Sequence, residues 1–297
     1  MTARRVAGWR VDLSLVAIAL VWGFTFVLVK KALDDISTLL FLTLRFVAAA
    51  LVLSIIFRGE IRKANLRQSV GGGVIAGTFL FGGYILQTYG LRYTTPAKAG
   101  FLTGLYIPLV PLIGTIVYRK VPQTSELLGI VAAFLGTALL TLQGSVWRIG
   151  GGDLLVIFCA VVYSFHILVL GKFAPGSNVG VLTVTQIATG SILGAATCWW
   201  VEPARVRWTP IVWIALGVTS LLATALAFYL QTWAQQYISP TRTALIFSTE
   251  PLFAWLASFL WTGEVLSGRG VAGAALILAG ILLVELKPVR IGQHQWS

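Results

Sequence analysis

Residues 84–106 and 228–250 carry almost the same sequence twice, 144 positions apart. The first copy reads YILQTYGLRYTTPAKAGFLTGLY and the second FYLQTWAQQYISPTRTALIFSTE. Gln87 aligns with Gln231, Thr88 with Thr232, Tyr93 with Tyr237, Pro96 with Pro240 and Lys98 with Arg242; Gly129 and Gly136 align with Gly273 and Gly280 at the same offset. Both copies lie in a chain of 297 residues that is 57% hydrophobic and 11% charged, with a mean hydropathy of +0.87. So few polar side chains cannot coat a soluble globule of this length, and lipid must solvate the surface. A duplicated apolar unit with polar residues at matched depths restricts the chain to a membrane fold made of internal repeats.

A helix crossing the hydrocarbon needs about 20 apolar residues. Breaks at charges, prolines and glycines give ten spans, near 13–33, 38–57, 70–90, 97–118, 127–143, 153–172, 179–201, 211–233, 241–261 and 267–286. The expected fold is an all-α membrane protein of ten transmembrane helices in two five-helix repeats, 13–143 and 153–286. An odd number of spans per repeat makes the second copy enter from the opposite face, so the halves are inverted. The first spans align at an offset of 141, placing Trp22 against Tyr163, Thr25 against His166, Lys31 against Lys172 and Arg45 against Gln186. The Arg4-Arg5-Arg10 cluster before the first apolar run imitates a secretory signal, but the run continues through Val29 without a small-x-small cleavage site and reads as an uncleaved span.

The net charge of +12 is not a nucleic-acid signal, because the cations fall between apolar runs and at the chain ends. With both termini cytoplasmic, the inner side holds Arg4, Arg5, Arg10, Arg58, Arg62, Lys63, Arg67, Arg119, Lys120, Lys172, Arg242, Lys287 and Arg290. The outer side holds the smaller set of Lys30, Lys31, Arg92, Lys98, Arg148, Arg205, Arg207 and Arg269. This bias supports that orientation of a multi-pass membrane protein, and the compact loops suggest the bacterial cytoplasmic membrane. Cys159 and Cys198 sit in apolar runs without metal-ligand spacing, so neither a disulfide framework nor a metal site is expected.

Trp22-Gly23, Arg45, the run TTPAKAGFLTGLYIPLVPL and the run SPTRTALIFSTEPLFAWLASFLWTGE resemble the EamA repeats of the drug/metabolite transporter superfamily, over about residues 13–286. The resemblance implies a transporter, more often an exporter of amino acids, amines, drug-like compounds or other small metabolites, or else an exchanger of sugar phosphates and nucleotide sugars. It also implies that Arg45 is an architectural residue facing the bundle. The Gly71–Gly73 run is not a phosphate loop, since no GxxxxGK[ST] follows, and no cofactor is expected.

Inverted repeats place a substrate site near the bilayer midplane between the halves. Trp22, Thr25, Phe26 and Val29 share one helical face, and Tyr163, His166 and Ile167 reproduce it in the sixth span. Tyr84, Gln87 and Thr88 in the third span are mirrored by Phe228, Gln231 and Thr232 in the eighth. The glutamines can donate and accept hydrogen bonds. Trp22, Tyr84, Tyr106, Tyr163, Phe228 and Trp255 offer ring faces to an apolar or cationic solute.

Glu250 lies mid-span in the ninth helix, before Pro251; its repeat mate is Tyr106, close to Pro108 and Pro111. A carboxylate at that depth is costly unless it is paired or protonated. It reads either as a proton carrier or counter-charge for a substrate amine, or as a partner of Arg45 bracing a proline kink. His166 is a proton relay or a hydrogen-bonded core residue. Lys98 and Arg242 open two helices just after prolines, where they could meet an anion but more simply snorkel to headgroups. Small residues four apart, at Gly73 and Gly77, Gly100 and Gly104, and Gly190 and Gly194, fit close helix packing.

The substrate-binding candidates are Trp22, Thr25, Tyr84, Gln87, Tyr106, Tyr163, His166, Gln231 and Glu250. The expected partners are a small-molecule metabolite, the lipid bilayer and a proton as candidate coupling ion, with the chain a monomer or a loose homodimer. An intramembrane lipid-modifying enzyme is the alternative, but only Arg45, His166 and Glu250 lie at depth, without a second carboxylate or an activated nucleophile. An ion channel would need a ring of charges or carbonyls, and none is present.

Overall fold

The computed structural model describes residues 8–61, 66–119, 122–141, 149–262, 265 and 267–285. Arg4, Arg5, Arg62, Lys63, Lys120, Arg148, Gly263, Glu264, Lys287 and Arg290, and the ends of both expected repeats at residues 143 and 286, lie outside them. The helices are α1 (Gly8–Ala32), α2 (Thr38–Ile56), α3 (Arg58–Ile61), α4 (Leu66–Tyr93), α5 (Pro96–Thr103), α6 (Tyr106–Tyr118), α7 (Thr124–Thr141), α8 (Gly151–Phe173), α9 (Val179–Thr197), α10 (Pro210–Ser220), α11 (Ala227–Ala234), α12 (Pro240–Phe247), α13 (Glu250–Thr262) and α14 (Gly268–Glu285). No strand forms among the described residues; one isolated bridge joins Ile36 to Val206. Seven helical stretches are long and apolar enough to cross a bilayer, against ten expected, and two further apolar helices, Thr124–Leu140 and Gly268–Leu283, are shorter. The remaining expected span, 241–261, is broken between α12 and α13. Exposed Leu51, Ile55, Ile116 and Ile192 suit a surface covered by hydrocarbon rather than water.

Two helices of the bundle are interrupted at corresponding places. α5 ends at Thr103, capped by Gly104, and α6 begins at Tyr106, while α12 ends at Phe247, capped by Ser248, and α13 begins at Glu250. The same local device starts each broken pair. Thr95 accepts from the Lys98 N–H at 3.3 Å ahead of Pro96, and Ser239 accepts from the Arg242 N–H at 3.2 Å ahead of Pro240. A hydroxyl cap satisfies an orphan donor, and proline at the first helical position loses no bond the helix needs.

Small residues set the helix contacts. A Cβ on Gly73 would come within 2.6 Å of the Thr185 Cβ, and one on Gly77 would strike the Gln186 carbonyl, so α4 lies directly on α9. Gly190 and Gly194 do the same for α9 against Phe46 and Thr43 of α2, at 2.6 and 2.8 Å. The expectation of close packing fails at Gly100, where a Cβ would meet nothing within 4 Å. Its neighbour Gly104 instead caps α5 at the break, because the helix ends there rather than meeting a partner.

α7 and α14 pack through glycines. A Cβ on Gly136 would lie 2.6 Å from the Gly273 carbonyl, a Cβ on Gly273 would lie 2.6 Å from the Gly136 carbonyl, and a Cβ on Gly280 would lie 2.5 Å from the Gly129 carbonyl. These neighbours are backbone and cannot rotate away. Gly136→Ala and Gly273→Ala are each expected to destabilise the protein by about 1–3 kcal/mol, the range for overpacking a tight contact, read as a lowered melting temperature in detergent.

Two connections are tied across the bundle. The Arg207 amide donates to the Asp35 carbonyl at 2.7 Å, and the Ser37 amide donates to the Arg205 carbonyl at 2.9 Å. The Asp35 carboxylate accepts from the Thr209 hydroxyl at 2.7 Å and from Arg207 Nε at 2.8 Å. The Thr209 hydroxyl and then the Arg207 guanidinium hold this carboxyl below the usual carboxylate range. Its contribution is therefore present above about pH 3.9, the ordinary aspartate value, and is lost as pH falls through the lower folded value. Asp35→Asn should lower the melting temperature at pH 6, and the gap to wild type should close below pH 4.

Candidate functional site

A cavity enclosing about 710 Å³ of space, part of it open to solvent, lies between α1, α2, α4, the two broken helices, α8 and α11. All nine sequence-derived candidates line it. α1 contributes Trp22 and Thr25, α4 Tyr84 and Gln87, α8 Tyr163 and His166, and α11 Gln231; Tyr106 and Glu250 are the first residues of α6 and α13. Arg45, Phe228 and Phe247 are among the other residues that line it. Trp255 does not line the cavity; it stacks on Phe259 with ring centroids 5.7 Å apart.

Arg45 is buried, and its partners come from an irregular turn that sequence reading did not resolve. Between α10 and α11 the chain runs through a π-helical segment, Leu221–Leu226. A π turn sets its carbonyls out of the usual helical ladder, and such segments recur at functional sites. The Ala223 carbonyl accepts from Trp22 Nε1 at 3.0 Å and from Arg45 Nη2 at 3.2 Å. Arg45 Nε donates to Thr224 Oγ1 at 2.6 Å, and Nη2 also donates to the Tyr84 hydroxyl at 2.8 Å. The guanidinium lies 4.4 Å above the Tyr84 ring. Arg45 is thus held by α4 and the π turn, and it forms no ion pair with Glu250.

The two glutamines differ in what remains free. Gln87 donates from Nε2 to Thr103 Oγ1 at 3.1 Å and accepts at Oε1 from the Tyr163 hydroxyl at 3.3 Å, tying α4 to α5 and α8. Gln231 donates from Nε2 to Gln235 at 3.2 Å, but its buried Oε1 has no hydrogen-bond partner. Leaving a buried acceptor unmatched costs about 1–3 kcal/mol, so this oxygen is poised to take a donor.

His166 is bonded through one ring nitrogen. Gln186 Nε2 donates to Thr232 Oγ1 at 2.9 Å, which leaves Gln186 Oε1 to accept from His166 Nε2 at 3.0 Å. That network assigns the proton to Nε2 and favours the core-residue reading over a proton relay. Gln186 is the residue that the repeat register aligns with Arg45, so each half carries one buried polar anchor in its second helix.

Glu250 is placed differently from the sequence expectation. It stands at the N-terminus of α13, not inside a helix kinked by Pro251; Pro251 occupies the first turn, where its missing N–H breaks no bond. Gly23 allows α1 to press on this point, since a Cβ there would lie 2.8 Å from the Glu250 carbonyl. Among the described residues no side chain bonds or ion-pairs with the Glu250 carboxylate. The positive end of the α13 dipole is its nearest favourable field.

Lys98 and Arg242 are neither snorkelling residues nor cations held ready for an anion. Lys98 Nζ pairs with Asp153 at 2.5 Å, and Arg242 Nη2 pairs with Asp12 at 2.8 Å. Asp153 also accepts from the Thr94 hydroxyl at 2.6 Å and from the Gly150 amide at 2.7 Å. Lys30 donates to the carbonyls of Leu91, Arg92 and Thr94 at 2.5, 2.8 and 3.2 Å, closing the same end of α4. Among the described residues no cluster of three His, Cys, Asp or Glu side chains could hold a metal ion.

Long apolar helices around a partly polar cavity are those of a multi-pass membrane protein. The EamA-like transporter family profile matches residues 9–142 and again 150–286, and the chain belongs to that family. A protein of Archaeoglobus fulgidus named as an uncharacterized transporter is 34% identical over 276 residues, covering 93% of this chain and 86% of that protein. YyaM of Bacillus subtilis, likewise named an uncharacterized transporter, is 26% identical over 278 residues, 90% of this chain and 91% of that one. A crystal structure 21% identical to this chain superposes with a TM-score of 0.78, covering 94% of this chain and 97% of that one, a likeness of fold. The protein is a membrane transporter.

Proposed function

We propose that this protein is a secondary transporter that moves a small metabolite outward across the cell membrane by alternating access. It is built from ten spans in two inverted repeats, 13–143 and 153–286, with both termini cytoplasmic. The nine cavity candidates bind the substrate, and a proton is the candidate coupling ion. An intramembrane enzyme is disfavoured, because the cavity wall brings one carboxylate and one engaged histidine together and no activated nucleophile.

The observation that carries this reading is a reciprocal set of contacts. A twofold relation requires that when residue i meets the mate of j, residue j meets the mate of i. Gly136 meets Gly273 and Gly129 meets Gly280, and these are mates at the offset of 144. The ion pairs obey the same rule. Lys98 and Arg242 are mates at 144, Asp12 and Asp153 are mates at 141, and each cation pairs with the aspartate of the other half.

Asp12 lies near one end of α1 and Lys30, which reaches Thr94 beside Asp153, lies near the other. At 1.5 Å per residue that separates the two clasps by about 27 Å, close to the thickness of the hydrocarbon. One inter-half ion pair at each membrane face suits a carrier whose halves part first on one side and then on the other.

Substrate counterflow in proteoliposomes tests this. Liposomes are loaded with pools of amino acids, amines, nucleosides or sugar phosphates, and labelled members of each pool are followed from outside. Accumulation with one pool, absent from protein-free liposomes, is the expected result. No accumulation with any pool by folded, inserted protein would overturn it.

A further inference from the structure

Two unmatched acceptors in the cavity stand among aromatic rings. Nε1 of Trp22, Nε2 of Gln87, Nε2 of Gln231, and Nε and Nη2 of Arg45 each donate to a protein oxygen. Against these engaged donors stand the Glu250 carboxylate, with no partner among the described residues, and the buried Gln231 Oε1, also unmatched. A solute that brings N–H donors satisfies both oxygens. One that brings only acceptors satisfies neither.

The walls next to Glu250 sharpen this choice. Trp22 packs on Phe228 and Phe247 with ring centroids 5.6 and 5.0 Å apart. Phe247 lies three residues before Glu250, and Trp22 precedes the glycine that abuts the Glu250 carbonyl. The ring faces and the carboxylate line the same cavity. Aromatic faces attract a cation through their quadrupole, and more strongly once it is desolvated. A carboxylate at helix depth is costly while bare, and a cationic ligand group relieves that cost. The Tyr84 face, by contrast, is already covered by Arg45.

We propose that the cavity recognises a protonated amine attached to an aromatic or bulky apolar body. The ammonium sits at Glu250 against Trp22 and Phe247, and Gln231 Oε1 takes a further N–H or O–H of the same solute. The inference rests on the cavity being the transport site and adds the class of solute it selects. Glu250 supplies the charge selection, while Gln231 discriminates among amines by the number of donors they carry.

Calorimetric titration of the protein in nanodiscs at pH 7.5 tests the assignment with tryptamine, its neutral isostere tryptophol and the anionic indole-3-propionate. The expected result is binding of tryptamine at least tenfold tighter than either analogue. Glu250→Gln should erase that preference, and Glu250→Asp should retain a measurable part of it. Gln231→Leu should weaken tryptamine several-fold and tryptophol, which carries the same indole N–H, by a similar factor. Equal affinities for the three probes, tighter binding of the anion, no binding of tryptamine, or an unaltered preference in a folded Glu250→Gln protein would each overturn the proposal. Failure here is distinguishable from failure of the transporter reading. Counterflow of a solute without an amine would remove this inference and keep the carrier, whereas amine binding without counterflow of any pool would do the reverse.

Discussion

Tethering Lys98→Cys to Asp153→Cys, or Asp12→Cys to Arg242→Cys, with a short thiol-reactive bridge is expected to reduce counterflow to the protein-free background. Cleaving the bridge with a reductant should restore it. The experiment uses a background in which buried Cys159 and Cys198 are replaced by serine. A rigid-body exchange between two closures must break each clasp once per cycle, so locking either one stops turnover. The energetics favour such a pair of clasps over one. Opening one ion pair alone loses its attraction, offset in part by rehydration of both charges. When one pair re-forms as the other opens, most of that cost cancels and the two states stay close in free energy.

The clasps are unequal, which gives the experiment a direction. Asp153 is 5% exposed and holds two further donors, whereas Asp12 is 22% exposed and one of its oxygens lacks a partner. Arg242→Ala should therefore cost less stability than Lys98→Ala. Counterflow that persists through both tethers would eliminate rocking between the halves as the mechanism.

The site was more legible in the sequence than the reasons for its geometry. The nine candidates were read from matched polar and aromatic residues at the repeat offsets, and all nine line one cavity. The ion pairs could not be read, because Asp12 and Asp153 follow a register of 141 while their partners follow 144. Alignment at either register says which residues are mates, not which of them touch. Arg45 was recognisable as a buried anchor, but its partner was not. The π turn at Leu221–Leu226 leaves no mark in composition or periodicity, and Thr224 and the Ala223 carbonyl reach Arg45 only through it.

The broken helices carry a similar lesson. Prolines drew attention to Pro108, Pro111 and Pro251, yet the breaks fall at Gly104 and Ser248, three or four residues before the nearest proline. A proline in the first turn is where a helix tolerates it best, so Pro251 marks a start instead of a kink. Moving the break forward puts Glu250 and Tyr106 at half-helix N-termini, the position from which broken transporter helices address a solute.

Glu250→Gln follows from that placement. It keeps the shape of the side chain and removes the charge, so the melting temperature should stay near wild type or rise, because no partner is lost and a bare buried carboxylate is removed. Transport of an amine should fall by roughly 10- to 100-fold, the equivalent of one charge-assisted hydrogen bond at 1.5–3 kcal/mol. A carboxylate at this depth returns across the membrane most easily when a cation covers it, either the substrate ammonium or a proton. If those two compete for Glu250, wild-type uptake should depend on pH and on an imposed proton gradient, and Glu250→Gln should respond to neither. A fully active, still pH-dependent Glu250→Gln protein would move the coupling elsewhere and reduce Glu250 to a residue that completes the start of α13.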